Sequence, residues 1–106
     1  MNFIRVTGPK DTYATLPAEK RSELNNASLA FFDKYMKAGK CKDWLMLMDG
    51  RWVTLWDFDS AEEMARVVSE EPMALYITVD SLPYVDYKTG LKMVAEMTAA
   101  AKAAKK

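Results

Sequence analysis

Seven side chains are candidates for chemistry in a chain of 106 residues that has one cysteine and no histidine. Arg5, Asp57 and Asp80 fall on segments that read as strands, among apolar neighbours. A guanidinium offers a forked donor array for a substrate carboxylate or enolate. Asp57 or Asp80 would serve as a general base if burial raised its pKa. The structural alternative is an ion pair of Arg5 with Asp57 or Asp80 on a neighbouring strand, or an Asp57 that ends its strand and helps start the next helix. Tyr35 and Tyr84, with Tyr76, can donate hydrogen bonds to a carbonyl or quinone oxygen without titrating. Trp44 and Trp56, with Trp52 and the adaptable methionines Met36, Met46, Met48 and Met64, suit a pocket for a flat aromatic molecule. The same stripe also suits an ordinary core or an interface.

Other chemistries lack their residues. Without histidine there is no common neutral-pH acid–base group, no histidine haem ligand and no histidine-dependent triad. A metal would have to rely on carboxylates and Cys41, and no motif gathers them. The four glycines lie far apart, so no phosphate-cradling loop exists. No metal or organic cofactor is expected. Cys41 sits between Lys40 and Lys42, which favours the thiolate, but it has no resolving cysteine. Fifteen basic and fifteen acidic residues cancel, which points away from nucleic acid. A lone cysteine and the lack of a signal-like opening predict a cytoplasmic setting. No apolar run approaches the ~20 residues that cross a bilayer, so no membrane partner is expected.

The elements that must position these residues follow from periodicity. Asn2 to Thr7 alternates as a strand and stops at Gly8-Pro9. After a polar connection, Leu24, Ala27, Phe31, Tyr35 and Ala38 recur at helical spacing from about Pro17 to Ala38, and Gly39 closes the helix. Trp44 to Phe58 reads as a hairpin about Asp49-Gly50. A two-residue type I′ turn would pair Met46 with Val53 and Trp44 with Leu55. One face would then carry Trp44, Met46, Val53 and Leu55, and the other Leu45, Leu47, Trp52, Trp56 and Phe58. Ser60 and Glu63 form a capping box for a second helix buried through Ala61, Met64, Val67 and Val68. Glu70-Glu71-Pro72 marks a break, and Tyr76 to Leu82 reads as a fourth strand. A last helix is expected after Gly90, decaying into a frayed tail by residue 106.

Strand, helix, strand, strand, helix, strand in one α+β domain over 1–106 is the split βαβ, or ferredoxin-like, order. It places both main helices on one face of a four-stranded antiparallel sheet, with the first and third strands central. The hairpin is apolar on both faces, so the second face needs a cover. Burying Trp52 and Trp56 there would contribute on the order of 8 to 12 kcal/mol gross per subunit. That compares with a cost of association of roughly 4 to 15 kcal/mol, and a homodimer is expected. The alternative is a C-terminal helix, 90–106, folded back over the sheet of a monomer.

Lys37-Ala38-Gly39-Lys40, the strand-Asp49-Gly50-strand hairpin, Asp59-Ser60-Ala61-Glu62-Glu63-Met64, Glu71-Pro72-Met73 and Leu82-Pro83-Tyr84-Val85-Asp86-Tyr87 resemble the dimeric α+β-barrel superfamily. Within it, the chain is most similar to the muconolactone isomerase-like and YCII-like small proteins. The resemblance covers most of residues 1–87 and rests on turns and caps. It implies a homodimer in which two sheets face each other as a barrel, with a ligand cavity beside each sheet. Its implied activity is cofactor-independent isomerisation or oxygenation of a small aromatic or lactone-like metabolite. Several of the superfamily's catalysts rely on a histidine that this chain lacks. The alternative function is a non-catalytic dimeric ligand-binding or interaction module.

Overall fold

The computed structural model describes residues 1–104. Four strands, β1 (Asn2–Pro9), β2 (Cys41–Met46), β3 (Trp52–Asp57) and β4 (Ile77–Pro83), form one antiparallel sheet in the order β2-β3-β1-β4. β1 and β3 are central, as the connection order predicts. Between them run α1 (Asp11–Ala14), α2 (Ala18–Lys37) and α3 (Ala61–Ser69), and α4 (Tyr87–Ala104) follows the last strand. The single turn α1 lies in what the sequence reads as plain connection.

Local chemistry sets the helix ends. α2 closes with Gly39 at φ 76°, where the Gly39 N–H reaches the Met36 carbonyl and the Lys40 N–H the Tyr35 carbonyl. This is the Schellman pattern, which needs a residue tolerant of the left-handed region. Ser60 caps α3 by accepting the Glu63 N–H at 3.1 Å. α4 starts at Tyr87, three residues before Gly90, because Asp86 accepts the Thr89 N–H at 2.7 Å and so caps the first turn. It stays helical through Ala104, so the expected fraying does not set in over that stretch. Residues 105–106 of the expected tail lie outside the described residues.

The hairpin differs from its expected register by one residue. Met46 pairs with Trp52, Leu45 with Val53 and Trp44 with Thr54. A type I′ turn needs positive φ at both central residues. Only Gly50, at φ 89°, has it here, and among the described residues no non-glycine does. Instead the Gly50 N–H bonds to the Leu47 carbonyl at 2.9 Å and the Leu47 N–H to the Arg51 carbonyl at 2.7 Å. Those bonds close a three-residue loop with glycine in the bulge position. A slip of one residue moves a strand's side chains to the other face relative to its partner. Trp44 and Met46 therefore share a face with Trp52 and Trp56, and Leu45 shares the other with Val53 and Leu55.

All three tryptophans consequently face the helices. Trp56, fully buried, stacks on Phe58 with ring centroids 5.2 Å apart, and both join Phe3, Phe31, Phe32, Cys41 and Val67 in the core. Tyr35, Trp44 and Met64 pack around it. Burial of Trp56 thus contributes to the subunit's own core and is not available to a dimer contact. The opposite face carries two aliphatic rows, read from the strand register. One runs Leu45, Val53, Val6, Asp80, and the other Asp43, Leu55, Ile4, Leu82. α4 does not fold back over them: none of its described residues is buried, and it makes no extended contact with any strand.

Candidate functional site

Arg5 occupies the helix-facing side of central β1, opposite Thr54 and between Phe3 and Thr7. It is 1% exposed, and its Nη2 donates to Glu71 Oε2 at 2.8 Å. Glu71, 5% exposed, comes from the turn that joins α3 to β4. Pro72 keeps Glu71 out of continued helix, and the turn is held by the Ala74 N–H on the Glu71 carbonyl. Removing two charges from water is costly and is offset only by close pairing. Here the pairing is incomplete, since Arg5 Nε and Nη1 are buried without an acceptor among the described residues.

Beside this pair a cleft of about 400 Å³ opens between α1, the middle of α2 and the sheet. Phe32, Trp44 and Trp52 make its aromatic wall, and Glu71 lines it together with Thr7 and Ser28. Trp44 stacks on Phe32 at 4.7 Å and lies 5.3 Å from Trp52. Tyr13 closes the α1 side and donates to Asn25 Oδ1 at 3.0 Å. Ser28 Oγ is buried without a hydrogen-bond partner among the described residues. A volume of this size suits a small organic molecule. An apolar wall with a few polar groups would orient a flat ring, and the Glu71 carboxylate would accept a hydrogen bond or a proton.

The other sequence candidates lie elsewhere. Asp57 is half exposed at the end of β3, 3.4 Å from the N-terminal ammonium and 3.8 Å from Lys42 Nζ. Asp80 is exposed on the open face of β4, across the sheet from Arg5. Neither aspartate pairs with Arg5; Glu71 does. Tyr35 donates to Glu70 Oε2 at 2.7 Å, and this bond, reinforced by partial burial and the Glu70 charge, raises its pKa. Trp56 is in the core, where Nε1 donates to Thr54 Oγ1 at 2.7 Å. Tyr84 borders a separate shallow hollow with Met1, Pro83 and Asp86. Of the seven candidates the cleft takes in Trp44, with Arg5 behind it through Glu71.

Cys41 departs from its sequence reading. Burial in the core pushes its pKa up to about 11, outweighing a backbone hydrogen bond at Asp43 that favours the thiolate, so the flanking lysines do not activate it. Among the described residues no three acidic, cysteine or histidine side chains gather as metal ligands, and no helix is long and apolar enough to cross a membrane. Trp52 lines the cleft as the aromatic reading expects, whereas Glu71 is a cleft residue that sequence reasoning passed over. The Glu71-Pro72 pair was its one local signal, because it fixes an acidic side chain on a non-helical turn. Compared with protein-family models and with curated proteins, the chain gives no match.

Proposed function

We propose that the protein binds a small flat aromatic or lactone-like molecule in the Trp44–Trp52 cleft and works as a homodimer. The observation that carries the first part is an aromatic wall meeting a carboxylate, Glu71, held in place by a buried arginine. In this reading Trp44, Trp52 and Phe32 stack on the ring, while Glu71 and Ser28 receive its polar end. Arg5 positions Glu71 and does not itself touch the ligand. Cofactor-independent isomerisation or oxygenation would need a base beside the ring, and Glu71 takes the role first given to Asp57 and Asp80.

The second part rests on the open face, where Leu82 is 63% and Leu45 49% exposed beside Ile4, Val6 and Leu55. Aliphatic residues in adjacent rows on a central sheet call for a cover, and a second copy supplies the same face in return. The ferredoxin-like order and the dimeric α+β-barrel class belong to this proposal, as does a cytoplasmic setting. Zero net charge fits small-molecule binding better than nucleic-acid binding. A non-catalytic ligand-binding or interaction module is the second reading, favoured by the engagement of Glu71 in an ion pair.

Tryptophan fluorescence tests the site. Titration with phenols, aromatic acids, quinones and lactones is expected to give saturable quenching with at least one class, lost in Trp52→Ala. Absence of quenching by all four classes would overturn the binding reading. Turnover of the bound compound that disappears in Glu71→Gln would separate the enzyme from the module.

A further inference from the structure

Two apolar surfaces of this chain lie in water, and each has the character the other lacks. One is the open sheet face, a two-row aliphatic patch bordered by acids: Asp43 at the β2 edge, Asp80 at the β4 edge and Asp57 at the end of β3. The other is α4. Its helical spacing puts Tyr87, Leu91, Val94 and Met97 on one stripe, and these residues are 60 to 72% exposed. Lys88 and Lys102 flank this stripe, while Lys92 and the single acid Glu96 lie on the side of α4 opposite it. Asp43 and Asp80 form no ion pair among the described residues, and neither do those three lysines.

The dimensions match. Eighteen residues of α4 span about 27 Å, and four strands at about 4.8 Å spacing make a sheet roughly 15 to 20 Å wide. One α4 therefore crosses the whole patch diagonally. Within its own chain it points away, giving the molecule a long axis of 64 Å against 30 and 25 Å. The joint favours that direction. The Tyr84 N–H bonds to the Asn2 carbonyl at 3.0 Å, continuing the sheet, while Asp86 already caps α4. Val85 alone lies between these two fixed points, and it packs toward Gly90. Folding α4 back over its own sheet would break this joint.

We propose that α4 is an exchanged arm. In a two-fold dimer each copy lays Tyr87, Leu91, Val94 and Met97 on the open face of the other, with the flanking Lys88 and Lys102 toward the bordering aspartates. The inference rests on the homodimer reading and replaces the barrel's face-to-face sheet contact with an exchange of helices. Two sheets meeting face to face would leave the α4 stripe in water, whereas exchange covers both surfaces, and the two-fold axis makes the contact closed.

The test uses the full chain with two surface positions, Leu82→Cys on the sheet and Val94→Cys on the arm. Mild oxidation of an equimolar mixture of the two single variants is expected to give a cross-linked species of twice the 12.0 kDa chain mass, in excess over either variant alone. Oxidation of the double variant is expected to give the same interchain product. An intrachain link in the double variant would overturn the exchange by showing that the arm folds on its own sheet. Sedimentation separates the remaining outcomes. Leu91→Glu, at an exposed site that leaves the core intact, is expected to weaken the dimer by more than about tenfold. A dimer indifferent to Leu91→Glu and never linked through Val94→Cys would overturn the arm while keeping the dimer. A full-length chain that is a monomer at tens of micromolar would overturn both.

Discussion

The two faces of the sheet solve opposite problems with the same strands. The helix-covered face takes every tryptophan, most of the phenylalanine and one buried ion pair, and the subunit completes it alone. The open face takes Ile4, Val6, Leu45, Val53, Leu55 and Leu82, with acids only at its borders, and no element among the described residues covers it. Aromatic rings and a charged pair need fixed partners, since ring geometry and desolvated charge are both intolerant of misplacement. Branched aliphatics accept any well-packed apolar cover. Under the proposed function, the covered face would recognise a small molecule and the open face would serve assembly.

The largest effect should come from the ion pair that marks the covered face. Arg5→Met would leave the Glu71 carboxylate buried without its partner, at a cost of about 3 to 5 kcal/mol in urea unfolding. Adding Glu71→Gln should restore part of that loss, because the unpaired charge is then gone. By contrast Lys37→Ala, which removes the exposed bridge to Asp33, should leave the urea midpoint essentially unchanged, because an exposed pair is screened by water and salt. Equal effects at Arg5 and Lys37 would mean that the covered face gains nothing special from its charges.

A paired truncation sharpens the contrast between the faces. Phe3→Ala on the covered side should cost about 3 to 5 kcal/mol, the usual range for a buried aromatic, at any protein concentration. Ile4→Ala, its neighbour on the open side, should lower the unfolding midpoint in a concentration-dependent way if a second copy covers that face. A cost at Ile4 that is independent of concentration would break the assignment of the open face to assembly.

Cys41 reports how closed the covered face is. With its thiol pushed up to about 11 by burial, the thiolate fraction at pH 8 is about a hundredfold below that of a cysteine with the ordinary value of 9.0. Alkylation of the native protein should be slower than that of the urea-unfolded chain by at least that factor. The folded state keeps its proton where the unfolded chain has lost it, so stability is fully present below about pH 9 and falls as pH rises toward 11. Cys41→Ala should remove this alkaline slope.

The elements of the fold were legible because they are local. Gly39, the Ser60–Glu63 box and the apolar spacing of Phe31 and Tyr35 each specify their neighbourhood within four residues. The central position of β1 and β3 followed from connection order. What stayed hidden was non-local or finely balanced. Arg5 and Glu71 are 66 residues apart, and no pattern in either segment links them. Asp86 and Thr89 hold a cap signal that Gly90 masked, since glycine reads as a break. The hairpin register turned on whether Asp49 takes positive φ, and the local sequence suits both loops. That single choice decided which face received Trp44 and where the cleft could form.

Gly50 is therefore the place to disturb that choice with the smallest perturbation. At φ 89° it sits where an L side chain is strained, although an added Cβ would meet no atom within 4 Å. Gly50→Ala should cost about 1 to 2 kcal/mol through backbone strain alone, without touching the core. The loop is also held by Asp49, which accepts from the Arg51 backbone N–H at 3.1 Å and from its Nε at 2.8 Å, so the register should survive. If it does, Trp44 and Trp52 stay 5.3 Å apart, and their coupled near-ultraviolet circular dichroism should be unchanged in the folded variant. Loss of that signal with the fold otherwise intact would mean that the glycine, more than the packing of tryptophans beneath the helices, decides which side chains each face receives.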